Sequence, residues 1–125
     1  MEIIIYTQTE NTQKNLLLKQ ISKIGQPVSV MIFEIEDLFQ QLKLKVSGET
    51  ILVFLISSEE ELDALLENKT RLFNIRFIIL LSEDHKDWVS KALAMQPRYL
   101  GYTANDYTDV GNVLNKMIKK SVINI

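Results

Sequence analysis

The sequence has no cysteine, one histidine, two prolines and four glycines. Without cysteine there is no disulfide, no thiolate metal site and no cysteine nucleophile. His85 alone cannot build a histidine-based metal site. The few glycines and prolines are scattered, so no linker, low-complexity tract or repeat divides the chain. No apolar run reaches the roughly 18 residues needed to cross a bilayer, so no membrane association is expected. The net charge of −2 gives no electrostatic reason to expect nucleic acid as a partner. The first apolar strand begins at Ile3 with no basic segment ahead of it. A signal peptide is therefore not expected, and a cytoplasmic location is.

What is present is an alternation of apolar strands and amphipathic helices in a chain of 125 residues, the size of one domain. Strands are expected at Ile3–Tyr6, Val28–Phe33, Ile51–Ser57, Ile75–Ser82 and Tyr99–Tyr102. A helical pattern follows each. The first runs over Glu10–Ile24, with Leu17, Leu18, Ile21 and Ile24 on one face and Gly25 as its stop. The second lies near Ile35–Val46. The third opens on Ser58 with Glu61 three residues on, the spacing of a capping box, and turns Leu62, Leu65 and Leu66 inward. The fourth follows Asp84, with Trp88, Val89, Ala92 and Leu93 inward. The fifth follows Thr103-Ala-Asn-Asp and carries Val110, Val113, Leu114, Met117 and Ile118 on one stripe.

The third and fourth strands read as continuous apolar runs, the signature of strands buried on both faces. The second is mixed and fits an edge. Parallel strands need helical crossovers. The expected fold is thus a single three-layer (βα)5 α/β domain with a doubly wound parallel sheet; five such units resemble the flavodoxin-like fold, which implies the strand order 2-1-3-4-5. In such sheets ligands and chemistry sit beyond the carboxyl ends of the strands. Here those ends read Thr7-Gln8, Ser57-Ser58, Ser82 and Tyr102-Thr103, with hydroxyls and an amide instead of carboxylates.

From Ile51 onward the chain resembles a response-regulator receiver domain. The stretch IRFIILLSEDHKDWVSKALAMQPRYLGYTANDYTDVGNVLNKMI is similar to that family's fourth strand through fifth helix. Ser82 matches its hydroxyl residue after strand four, Ala92-Leu93 its helix-four pair, Tyr99 the aromatic opening strand five, and Leu114 the apolar core of its last helix. The resemblance implies a phosphorylation pocket, and this chain departs from it. The Mg²⁺-holding acid pair aligns with Thr7 and Gln8, the phosphoacceptor aspartate with Ile56 or Ser57, the lysine with Tyr102 and its following proline with Thr103. A pseudo-receiver is expected, without catalysis and without a cofactor. The same resemblance implies that a protein partner or a second copy docks on the face of helix four, strand five and helix five, where Trp88, Tyr99, Tyr102 and Tyr107 are candidate contacts.

Other patterns carry simpler readings. The loop holding Thr7, Thr9, Asn11 and Thr12 is similar to the flavodoxin phosphate loop, which implies an alternative role in binding a flavin or nucleotide phosphate. Glu10 opposes an anion there, and Thr9 or Asn11 serves equally as a helix cap. The acids Glu59, Glu60, Glu61 and Asp63 complement a helix N-terminus. His85 sits among Glu83, Asp84 and Asp87 on a wet helix start. Lys116, Lys119 and Lys120 suit the last turns of a helix. No serine or acid can be placed beside His85, and the strand-end loops offer no nucleophile–base pair, so an enzyme is not expected.

Overall fold

Apolar runs too dense for a half-wet sheet become the middle of one. In the computed structural model, which describes residues 2–8, 12–32, 34–43, 50–72, 75–103 and 107–123, every residue of β3 (Thr50–Ile56) is buried. It lies between β1 (Glu2–Thr7) and β4 (Arg76–Leu81). β2 (Val28–Ile32) and β5 (Tyr99–Tyr102) form the edges. All pairings are parallel, in the order β2-β1-β3-β4-β5. This is the flavodoxin-like arrangement expected from the sequence.

Five helices cover the sheet: α1 (Thr12–Ser22), α2 (Ile35–Leu42), α3 (Glu59–Glu67), α4 (Lys86–Ala94) and α5 (Thr108–Ile123). Side chains of a strand alternate between faces. Ile3, Ile5, Val53, Leu55, Ile78 and Leu80 meet Leu17 and Ile21 of α1 and Val110, Leu114 and Met117 of α5. Ile4, Tyr6, Leu52, Phe54, Ile79 and Leu81 meet α2, α3 and α4 through Leu38, Leu62, Leu65, Trp88 and Ala92. Tyr6, Phe54 and Phe77 continue that second layer as edge-to-face pairs, with centroids 5.6 and 5.9 Å apart. Each fully buried Leu, Ile or Phe contributes about 1.5–3 kcal/mol. Among the described residues no helix is long and apolar enough to cross a membrane.

Several boundaries differ from the sequence reading. α1 ends at Ser22, and Lys23 and Ile24 form a turn closed by Gly25 at φ 84°. α3 is followed by a 3-10 turn over Lys69–Leu72 that the sequence did not signal. α5 starts at Thr108, after a buried Tyr107. Phe33 and residues 44–46 lie outside the described residues, as do 9–11 and 104–106. Leu93, expected inward, is 56% exposed. Trp88 and Ala92, four apart, hold the inner line of α4, and a residue one step further swings about 100° away. Met95 fills the end of that line instead.

Two backbone positions are tight. An added Cβ at Gly101 would stand 2.9 Å from Tyr99 Cε1 and 3.1 Å from Leu80 Cδ2, so the glycine lets the Tyr99 ring lie against the strand. Gln96 ends α4 at φ 57°, the left-handed conformation that glycine takes without penalty. Gly101→Ala is expected to destabilise the fold by about 1–3 kcal/mol through overpacking. Gln96→Gly is expected to stabilise it by about 0.5–1 kcal/mol. Denaturant unfolding checks both, with the midpoint moving and the slope unchanged.

Candidate functional site

The ladder continues one rung past the strands. Ser82 N–H donates to the Ile56 carbonyl at 2.9 Å, and Thr103 N–H donates to the Leu81 carbonyl at 2.9 Å. Ser57, Ser82 and Thr103 therefore stand side by side beyond β3, β4 and β5. Ile56 is buried in the α2–α4 layer, whereas Ser57 is exposed. Of the two, Ser57 is the one that reaches solvent. Ser82, Thr103 and Gln8 are half-buried.

Thr7, expected in both the pocket and the ligand loop, is fully buried. It closes the end of β1 instead of lining a cleft. Thr12 is the exposed first residue of α1. Thr9 and Asn11 lie outside the described residues.

The cap of α3 reaches back to the strand end, a contact that the sequence spacing did not signal. One Glu61 oxygen accepts from Ser57 N–H at 2.6 Å, Ser57 Oγ at 3.1 Å and Ser58 N–H at 3.1 Å. Ser58 Oγ in turn accepts from Glu61 N–H at 3.2 Å. This is the expected capping box, extended one residue back into the strand end. The carboxylate serves backbone donors, and no histidine completes a relay to Ser57. His85 is itself a cap: its Nδ1 accepts from Asp87 N–H at 3.3 Å.

The acids of α3 are divided among partners. Lys91 of α4 donates to Glu59 at 2.8 Å and to Asp63 at 2.7 Å, tying α3 to α4. Those bonds, to Asp63 first, raise the Lys91 pKa above its usual value. Glu61 points the other way, into its cap. Among the described residues no group of three or more acidic, histidine or cysteine side chains is placed to hold a metal ion. The Lys91 bridge was invisible in sequence, because its partners lie a whole strand away.

The aromatic candidates separate by depth. Trp88 and Tyr107 are core residues, 7% and 6% exposed. The Tyr107 hydroxyl donates to Gln13 at 2.6 Å, linking α1 to α5, and burial pushes its pKa up to about 12. Tyr99 and Tyr102 are half-buried on the β5 edge. Burial, followed by a hydrogen bond to Asp84, raises the Tyr102 pKa. The position that the resemblance gives to a lysine thus holds a neutral phenol bonded to a carboxylate. At the end of β1, burial pushes Tyr6 up to about 12. A hydrogen bond from Gln8 opposes that shift, and the charges of Glu61, Glu34 and Asp37 reinforce it. The strand-end region is an acidic neighbourhood that also carries hydroxyls.

No family model matches the sequence, and no curated protein does. Solved structures do match the fold. A response regulator receiver protein from Pseudoalteromonas atlantica superposes with a TM-score of 0.73 at 11% identity, covering 97% of this chain and 99% of that one. A response regulator from Thermotoga maritima gives 0.70 at 12% identity, covering 94% and 97%. An atypical orphan response regulator, described as revealing a phosphorylation-independent regulatory mechanism, gives 0.69 at 9% identity, covering 95% and 96%. The fold is receiver-like over essentially its whole length.

Glu61→Ala is expected to cost about 1–3 kcal/mol, because it leaves strand-end donors without their acceptor, and Ser58→Ala about 1 kcal/mol. Thermal or denaturant unfolding measures both. The tyrosines predict a second behaviour. Tyr6 and Tyr107 ionise near pH 10 when unfolded and near 12 when folded. The stability this contributes is present below about pH 10 and is lost as pH rises toward about 12. Ultraviolet titration should show a late phenolate population that Tyr6→Phe diminishes. Complete ionisation near pH 10 in the folded protein would contradict it.

Proposed function

We propose that this chain is a receiver-like signalling module that works through protein contact and without phosphoryl transfer. The observation that supports this most directly is the row of Ser57, Ser82 and Thr103 at the end of a receiver-like sheet. A hard Mg²⁺ ion wants carboxylate oxygens, and a phosphoryl group wants a carboxylate acceptor and a cation. The chain offers hydroxyls, a buried Thr7 and a phenol bonded to Asp84 in the corresponding places. The likeness to an atypical orphan regulator with a phosphorylation-independent mechanism points the same way.

The contact surface in this reading is the α4–β5–α5 face. Among the described residues Leu93 of α4 is one of two exposed large apolar side chains, and Leu100 and Tyr102 on β5 are half-buried. Apolar and aromatic groups of this kind anchor interfaces. A second copy of the chain is the simplest partner for it. The phosphate-loop alternative gains no support, since Thr7 is buried and the acids around Tyr6 oppose an anion.

Incubation with acetyl phosphate and Mg²⁺, followed by intact mass measurement, is expected to give no phosphoryl adduct. A stoichiometric adduct would overturn the non-catalytic reading. Sedimentation is expected to show concentration-dependent association that Leu93→Glu removes while circular dichroism stays unchanged. Association that survives Leu93→Glu would move the interface elsewhere.

A further inference from the structure

At the opposite end of the sheet, the starts of β4 and β5 gather positive charge. Between the 3-10 turn and the α4–β5 connection, at the start of β4 and β5, lies an open cleft of about 960 Å³. This is the upper end of the roughly 300–1,000 Å³ range of small-molecule sites. Among the described residues Lys69, Arg76 and Arg98 line it, and no acidic residue does. In a chain of net charge −2, that is a local inversion of sign. Arg71, one turn away, is not part of it. That side chain pairs with Glu36 at 3.0 Å and lies over the Phe39 ring at 4.4 Å.

The backbone holds the cations together. Arg98 N–H donates to the Phe77 carbonyl at 2.8 Å, which sets Arg98 one residue from Arg76 across the β4–β5 pair. Arg76 is braced by its Nη1 donating to the Met117 carbonyl at 3.2 Å. Burial and then the charge of Arg98 lower the Arg76 pKa, so the two guanidinium groups feel each other. Gln96 forms part of the wall from its left-handed conformation, and strained backbone of this kind concentrates at binding sites. The floor is apolar, formed by Ile75, Phe77 and Met95. Clustered guanidinium groups suit phosphate, with bidentate and charge-assisted bonds. The apolar floor suits a planar, weakly polar body.

We infer that this cleft binds a nucleoside phosphate, with its phosphates on Lys69 and Arg98, the charge of Arg76 reinforcing them from the α5 side, and its base against the Ile75, Phe77 and Met95 floor. The inference is independent of the protein-contact reading and uses the other end of the sheet. The acids near Tyr6 and Tyr102 repel such a ligand at the strand carboxyl ends, and the cationic cleft attracts it.

Calorimetric titration of the full chain with ADP at low salt tests it, with pyrophosphate and adenosine as separate arms. ADP is expected to bind saturably and more tightly than either. Arg98→Glu and Lys69→Glu, both at exposed positions, should each weaken ADP by about tenfold or more while the circular dichroism spectrum is retained. Lys19→Glu, the same charge change on exposed α1 surface, should leave it unchanged. The assignment is overturned by any of three results: no saturable ADP binding, binding undiminished in both cleft variants, or pyrophosphate binding as tightly as ADP.

Discussion

A strand with no wet face can be placed only by covering both its sides, and β3 is such a strand along its full length. That constraint organises the molecule. It requires helices on both faces, which parallel crossovers supply. It also requires neighbours on both edges, which β1 and β4 supply. β1 and β4 are in turn buried along nearly their whole length, so the demand for cover spreads outward until it reaches the mixed or short strands β2 and β5. Polar groups are left at the ends of the sheet, and both candidate sites lie there.

The two ends are chemically different because different parts of the chain build them. At the carboxyl ends the strands hand over to helix starts, and helix starts attract acids and hydroxyls. Glu61, Ser58 and His85 all act as caps there. At the amino ends the strands receive the chain from helix ends, where basic residues are tolerated, and Arg76 and Arg98 enter the sheet there. Around β4 and β5 the result is a domain polarised along its strands, acidic at one end and basic at the other.

Much of the fold was legible in the sequence because its signals are local. The unbroken runs ILVFLI and FIILL mark central strands. Ser58 and Glu61 spell a capping box, and Gly25 marks the end of α1. What was not legible depends on depth or on distance along the chain. Leu93 and Ala92 look alike in a pattern, yet one is out and the other in, because Trp88 sets the rotation of α4. Tyr107 reads as a surface aromatic until its hydroxyl is found on Gln13 of the first helix. Ser57 and Glu61 became a pair only when the strand end curled onto the cap. The cationic cleft draws on a turn, a strand and a loop that no sequence window spans. The receiver-like resemblance was carried by element order, which the superposed structures share, and hardly by residue identity.

The strand order has a further consequence for how the chain reaches its structure. No two neighbouring strands are joined by a turn. β1 pairs with β2 only across α1, and with β3 only after β2 and α2 have been passed. Every ladder therefore closes a long loop before its hydrogen bonds form, a topology that folds more slowly than helical bundles of similar size. Until β3 arrives, one edge of β1 and its Ile3, Ile4 and Ile5 lack their cover. The segment that is most protected in the finished molecule is the one most open to wrong pairing while it is being made.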